Sequence, residues 1–276
     1  PRLGVRVTAT AADGSPRTYT AAAAIVTLPL GVLKAGTVAF DPPLPLWKTV
    51  PIERLGCGLL NKVALRFAAP FWPPTADYVA HAPSAATDAS SRCAHFLFLS
   101  LAAATGAPIL VAFLAGSAAE AAEARPDGDL VDAAMGVLRG IFPAAPARPL
   151  AYTVTRWRAD PHARGSYSYP AVGSTPGDYT AMALPLGRTL RWAGEATSRD
   201  APATAHGAFA SGLREAGRLG REAGGMSPAA PPSAPPSPTT IGCRAREVNP
   251  SGRTASTRAS VRSPPTRTRR LRSEEH

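Results

Sequence analysis

Apolar and polar positions recur along this chain in two periods, about two residues in some stretches and about 3.6 in others, and each predicts a different element. Val5–Thr10 and Tyr19–Ala21 flank an Asp13-Gly14 pair, the pattern of a β-hairpin. Ala22–Leu30 is nearly continuous apolar sequence, which predicts a strand buried on both faces, stopping at Thr27-Leu28-Pro29. Leu44–Leu55 reads as a helix opened by proline, with Pro51 expected to kink it or end it early. Within Leu55–Phe67, Val63, Leu65 and Phe67 alternate with Lys62, Ala64 and Arg66, so Lys62 lies on the face opposite the aliphatic row. Phe96–Ser100 and Pro108–Leu114 read as strands, and Ser117–Ala124 and Asp127–Ile141 as helices. The second helix carries Leu130, Ala133, Ala134, Val137 and Leu138 in one stripe, with Asp127 and Asp129 at its electropositive start.

The stretch Arg191–Arg218 combines a strand, a polar loop and a long helix. Leu190–Ala193 is a short run that stops at Gly194 and Glu195; Asp200 and Pro202 punctuate the loop. Phe209, Leu213, Ala216 and Leu219 then recur at helical spacing, which predicts that they form the buried face, with Arg214, Glu215 and Arg218 off it. Gly194 lets a ligand approach closely, and Glu195 could take a ribose or ribityl hydroxyl. A helix starting at Thr204–Gly207 offers free N–H groups to an anionic or electron-rich group. The same order of elements also describes an ordinary αβ unit.

At 276 residues and 45% apolar content the chain can form one large domain or two ordinary ones with a real core. The net charge of +11 is uneven, because residues 226–276 hold nine Arg against three Glu. That stretch is also rich in Pro, Ser and Thr, a composition that cannot offset its ordering entropy, so a disordered basic tail is expected. Its Arg267–Arg272 end suits a nuclear-targeting or nucleic-acid-contacting arm, or simply a solvated tail. Cys57, Cys93 and Cys243 lie far apart with no metal-ligand spacing, which argues against a disulfide framework or a zinc site and for a reducing setting. The longest apolar run, near Pro108–Ala115, is too short to span a bilayer. A first residue of Pro, inside a β-rich passage, suggests a fragment.

Four motifs carry a resemblance. RWAGEATSRDAPATAHGAFASGLREAGR, TLPLGVLKAG with FDPPLPLWK, RLGCGLLNKVALRF and TRWRADPHARGSYSYPAVG occur in the order found in the flavin-containing amine oxidases. Together they cover roughly residues 1–224, and the chain is most similar to the branch of lysine-specific histone demethylases and polyamine oxidases. The resemblance implies a mixed α/β, two-domain amine oxidase fold, present in part. Residues 1–58 and 176–225 would belong to the FAD-binding domain, 59–175 to the substrate-binding domain and 226–276 to the tail. It implies FAD contacts from Thr27, Pro29, Trp157, Ser166, Tyr167, Gly194, Glu195, Thr204 and Ala205. Lys62 would hold a water beside the flavin as the catalytic lysine, although on periodicity alone it is a solvated strand residue. Tyr167 would form one wall of the amine pocket; on sequence alone it and Trp157 read as core aromatics. Thr204 stands where oxidases of small amines carry a second aromatic, which would widen the pocket. His162 departs from the aromatic more often found there.

The implied reaction is hydride transfer from an amine carbon to the flavin, hydrolysis of the imine to an aldehyde, and reoxidation by dioxygen to hydrogen peroxide. The implied substrate is methyl-lysine in a histone-like peptide, with a polyamine as the alternative. Chromatin corepressor proteins and weak nucleic-acid contact through the tail are the partners to consider, and the expected location is nuclear, with cytoplasmic or peroxisomal as alternatives. No membrane association is expected. Gly56-Cys57-Gly58 lacks the third glycine of a dinucleotide fingerprint, and no GxGxxG unit occurs in these residues. The chain alone is therefore expected to bind FAD weakly or not at all, which keeps a non-catalytic scaffold in play.

Overall fold

The computed structural model describes residues 4–11, 13–82, 93–222, 246–248 and 254–256. The chain opens with the expected hairpin, β1 (Val5–Thr10) against β2 (Pro16–Ala21), in register from Val5 opposite Ala21 to Thr10 opposite Pro16. β3 (Ala24–Val26), α1 (Leu30–Lys34), α2 (Leu46–Arg54) and β4 (Gly56–Gly58) follow, then β5 (Leu60–Arg66), β6 (Tyr78–Ala80) and β7 (Ala94–Ser100). α3 (Ala102–Thr105), β8 (Ile109–Ala115), α4 (Gly116–Glu123), α5 (Asp127–Ile141) and β9 (Ala151–Val154) come next. β10 (Tyr167–Tyr169), α6 (Pro176–Ala183), β11 (Leu190–Trp192) and α7 (Ala205–Glu222) complete the part that forms the site. Within the stretch expected to lack structure, β12 (Arg246–Val248) and β13 (Thr254–Ser256) pair with each other, and β12 pairs with β9; the rest of that stretch lies outside the described residues.

The larger layer is a sheet of order β13-β12-β9-β5-β8-β7-β6, antiparallel throughout. Alternation along β5 sends Val63, Leu65 and the following Phe67 into its core, where they meet Leu130, Ala134, Met135 and Leu138 of α5. The expected helical stripe is thus the buried one, shifted to include Val131 and Met135. Lys62 and Ala64 lie on the other face of the strand, as the pattern predicts.

The second layer is smaller: β11 runs parallel to β3, Trp192 opposite Val26, with α1, α2 and α6 around a core of Leu30, Ile52, Leu55, Tyr179 and Met182. Two corrections belong here. Ala22–Leu30 does not form a long strand buried on both faces; only Ala24–Val26 is strand, Ile25 is exposed, and Leu30 already begins α1. Pro51 does not end α2, which runs to Arg54. A proline withholds only its own N–H; its carbonyl still accepts from Leu55 N–H at 3.1 Å. The last turn is also held by Lys34, whose Nζ donates to the carbonyls of Ile52, Glu53 and Leu55 at 3.0, 2.7 and 2.9 Å.

The third correction concerns α7. Its buried residues are Gly207, Ser211 and Glu215, while Phe209 and Leu213 are 67% and 54% exposed. The inward face is selected by contacts that apolar spacing does not encode. A Cβ on Gly207 would lie 1.9 Å from the Ala201 carbonyl oxygen, so only glycine allows that approach. Ser211 Oγ accepts the Gly194 N–H at 2.8 Å, and the fully buried Glu215 Oε1 accepts from Arg214 Nε at 2.6 Å and Arg218 Nη1 at 2.8 Å.

His95, at the start of β7, is 4% exposed, stacks on Phe98 and has a left-handed backbone at φ 51°. Burial, with the nearby charges of Arg125 and His81, lowers its imidazolium to about 4. Because the folded value lies below the unfolded one, stability is fully present above pH 6.5 and is lost as pH falls toward 4. Urea unfolding should therefore show a loss at pH 5 of roughly 2 kcal/mol attributable to this group. His95→Asn, which tolerates the backbone conformation, should remove that part of the slope; an unchanged slope would contradict it.

Candidate active site

Three segments far apart in the chain converge on one cavity of about 200 Å³. Thr27 and Pro29 come from the end of β3, Ser166 from the entry to β10, and Gly194 and Glu195 from the turn after β11. Trp192 closes one side. Gly194 has φ 121°, a conformation that favours glycine, and a Cβ there would meet nothing within 4 Å. The turn is thus open on the side where a ligand backbone could lie.

Glu195 organises the surroundings. Ser168 donates its N–H to Oε1 at 3.0 Å and its hydroxyl to Oε2 at 2.6 Å, and Ala203 N–H donates to Oε2 at 2.7 Å. One carboxylate therefore joins β10, the Gly194 turn and the loop that enters α7. An ionised carboxylate accepts about four hydrogen bonds, so one position remains for a ligand hydroxyl. Ala203 holds φ 60°, unfavourable for a residue with a Cβ, and the Glu195 bond offsets that local strain. Thr204 caps α7: its hydroxyl donates to Ala201 O at 2.8 Å and accepts Gly207 N–H at 3.0 Å. That hydroxyl is committed to the helix start, and Ala205 is the first helical residue.

Ser166 anchors a second connection. Its N–H donates to Gly58 O at 2.8 Å and its Oγ accepts Leu60 N–H at 2.8 Å, tying β10 to the β4–β5 junction. β10 lies antiparallel to β4 with Tyr167 opposite Gly58. The Ser-Tyr-Ser-Tyr alternation puts Ser166 and Ser168 inward and leaves Tyr167 and Tyr169 exposed at 39% and 47%.

Lys62, Trp157, Tyr167, Thr204 and Ala205 do not line the cavity. Lys62 is half-buried, its Nζ 3.4 Å from Leu60 O and 6.0 Å from the Phe113 ring centre, and burial lowers its ammonium pKa. Trp157 is joined to the Lys62 strand through the buried Asn61, whose Oδ1 accepts Trp157 N–H at 3.0 Å and the Thr155 hydroxyl at 3.2 Å. Thr155 Oγ1 in turn accepts Lys62 N–H at 2.8 Å. Asn61 Nδ2 donates to Glu123 Oε1 at 2.8 Å, and the same carboxylate accepts Arg158 N–H at 2.9 Å and Ala159 N–H at 2.8 Å. His162 lies exposed on the same loop, its N–H bonded to Asp160 Oδ1 at 2.7 Å.

Sequence reasoning missed Ser168, Asn61 and Glu123. The first was readable from the Ser-Tyr alternation and the second stands beside Lys62 in Asn-Lys-Val, but Glu123 reaches the site from a helix elsewhere in the chain and leaves no local mark. Among the described residues no cluster of His, Cys, Asp or Glu could hold a metal ion, and no helix is long and apolar enough to cross a membrane.

A flavin nucleotide fits this arrangement in part. The buried indole N–H of Trp192 has no acceptor among the described residues, Glu195 keeps an acceptor position, and Gly194 leaves open space. At about 200 Å³ the cavity is smaller than the roughly 300–1,000 Å³ typical of ligand pockets, so these residues enclose one portion of such a cofactor.

Comparison with known proteins agrees with this chemistry. The profile of the flavin containing amine oxidoreductases matches residues 2–220. The chain is 44% identical over 229 residues to a Drosophila melanogaster protein named possible lysine-specific histone demethylase 1, covering 75% of this chain and 25% of that protein. It is 43% identical over 226 residues to lysine-specific histone demethylase 1 homolog 3 of Oryza sativa subsp. indica, covering 80% of this chain and 28% of that one. The fold resembles that of a putrescine oxidase mutant redesigned in its cofactor binding, with TM-score 0.62 at 18% identity over 74% of this chain and 44% of that chain. It also resembles cyclohexylamine oxidase from Brevibacterium oxydans IH-35A, with TM-score 0.60 at 20% identity over 81% and 47% of the two chains. The chain thus spans about a quarter of the length of these curated relatives.

Glu195→Gln would turn one acceptor oxygen into a donor facing an N–H or hydroxyl. Urea unfolding should show a loss of about 1–3 kcal/mol, the cost of an unsatisfied buried donor, and an unchanged midpoint would contradict the role given to this carboxylate.

Proposed function

Because the chain belongs to the family of flavin-containing amine oxidoreductases, we propose that its site serves FAD-dependent oxidation of a carbon–nitrogen bond, with methyl-lysine in a histone-like peptide as substrate. The observation that carries this reading is the convergence of Thr27, Pro29, Ser166, Gly194 and Glu195 on one cavity, in a chain 44% identical to a named histone demethylase relative. FAD, when bound, accepts a hydride from the amine carbon and passes the electrons to dioxygen, giving hydrogen peroxide. Water then adds to the substrate imine, and the carbinolamine breaks its C–N bond to release the aldehyde and the shorter amine.

The protein's part is positional and electrostatic. Glu195 and the Gly194 turn would hold the cofactor's hydroxyl and carbonyl groups, with Thr27, Pro29 and Ser166 on the facing wall. The start of α7, at Thr204 and Ala205, would offer the positive end of an 18-residue helix to an electron-rich edge of the cofactor. Lys62 would hold a water and place a positive charge where negative charge develops. Trp157 and Tyr167, exposed aromatics carried on segments bonded to the Lys62 strand and to β4, would form the amine-binding side. Thr204 in place of an aromatic leaves room for a lysine side chain presented by a peptide. A histone substrate would place the protein in the nucleus among chromatin proteins; the basic stretch 226–276 would add nucleic-acid contact.

The test is the flavin absorbance of FAD-loaded protein mixed without oxygen with dimethyl-lysine peptide and, separately, with spermine. Bleaching by the peptide supports this reading; bleaching by spermine alone makes the protein a polyamine oxidase, and absence of bound flavin makes it a scaffold. Only a neutral amine has a lone pair to assist C–H cleavage, so the bleaching rate should rise with pH, and a pH-independent rate would contradict it. Lys62→Met should lower turnover by about 10²-fold, on the scale of losing one electrostatic stabiliser, while leaving peptide affinity near its original value.

A further inference from the structure

Lys48 is fully buried, with no accessible surface, on a helix that contributes nothing to the lining of the site cavity. Its ammonium donates to the carbonyls of Ala181, Met182 and Leu184 at 2.9, 3.0 and 2.7 Å. These are carbonyls at the C-terminal end of α6, where intrahelical partners run out; that of Ala183 accepts from Arg218 Nη1 at 3.4 Å. The same ammonium lies 4.5 Å from the centre of the Trp192 ring and 5.0 Å from that of Trp47. The Trp192 ring also meets Phe40, with centroids 5.8 Å apart. The Trp192 carbonyl accepts from Arg214 Nη2 at 2.8 Å.

We propose that Lys48 is a positioning residue of the flavin site: its buried positive charge fixes the Trp192 wall of the cavity and the end of α6 whose Met182 lines the same cavity. This rests on the cofactor reading above and adds to it a residue that touches neither cofactor nor substrate. Two features make the charge, rather than the bulk, the working element. Three carbonyls converge on one nitrogen, and an ammonium has three N–H donors where a neutral amine has two and a lone pair. The indole face attracts a cation and has no comparable affinity for an amine.

Burial lowers the Lys48 ammonium to about 7, with the Glu215 charge opposing that shift. The other ionisable groups on the elements packed around it are His206, Arg214, Arg218, Arg221 and Glu222 on α7, Asp178 and Tyr179 on α6, Arg191 on β11, and Glu53 and Arg54 on α2. The arginines stay charged throughout, and burial raises the Tyr179 hydroxyl away from neutrality. The sign follows: below neutrality the clamp is charged and closed, and as pH rises through neutrality it loses one donor and its cation–π contact.

The experiment follows the Trp192 indole N–H by ¹H–¹⁵N NMR, assigned with Trp192→Phe, from about pH 6 to about pH 8.5, a range centred on neutrality. FAD is titrated into the same samples. The wild-type signal should titrate near neutrality while the FAD dissociation constant rises about tenfold, the scale of one cation–π contact and one hydrogen bond. Lys48→Met should abolish the titration and bind FAD weakly at every pH; Lys48→Arg, always charged, should bind tightly at every pH. A wild-type indole signal that does not move overturns the proposal and needs no variant to fold. A signal that titrates while FAD affinity stays constant also overturns it. If the chain takes up no FAD at all, the cofactor reading fails, and the indole titration alone decides whether the clamp exists.

Discussion

The carboxylate of Glu195 ties together three segments that are separate in the chain. β10 arrives paired with β4, the Gly194 turn comes from the small parallel pair, and the loop at Ala203 leads into α7. An unpaired carboxylate in this half-buried position would be costly, so it demands donors, and two backbone N–H groups and a hydroxyl supply them. The cavity wall exists because those donors are fixed. Neighbouring contacts then make the arrangement rigid: Ser211 takes the Gly194 N–H, and Arg214 takes the carbonyls of Trp192 and Thr197 on either side of the turn.

This explains why α7 presents its polar side inward. Glu215 accepts from two guanidiniums, and Arg214 then reaches the backbone that carries Glu195. Replacing these groups with the apolar residues on the outer face would leave the carbonyls flanking the turn without donors. The charged side is tolerated inside because Glu215 is paired with two guanidiniums, and those guanidiniums also satisfy the carbonyls of Trp192, Thr197 and Ala183.

Much of the fold was legible in the sequence wherever one periodicity governed a segment. The hairpin, the two faces of β5 and the helix at Asp127–Ile141 follow from turn signals, alternation or helical spacing, and both strands of the β7–β8 pair were also read as strands. The failures share a cause. Ala22–Leu30 looked like a buried strand because its apolar run is long, yet Pro29 and the tight packing of Gly31 against Ala163 and Arg164 carbonyls turn it into a helix start. The face that α7 buries does not follow its apolar spacing, because the contacts that choose it, Gly207 on Ala201 and Ser211 on Gly194, depend on the preceding loop and turn rather than on the helix itself. Of the candidate site, the cavity residues were readable from motifs. Glu123 and Lys48, which act from a distance through carbonyls and amides, were not, because three-dimensional convergence on one polar atom has no linear signature.

The central claim is that one carboxylate couples β10 to the entry of α7. The most direct measurement is native-state hydrogen exchange of the Ser168 and Ala203 amides, followed residue by residue. Because both N–H groups end on Glu195, the account predicts protection of both and a shared opening free energy under mild denaturant. Free exchange at Ala203 beside a protected Ser168 would mean that the two segments are held independently, and would contradict the account.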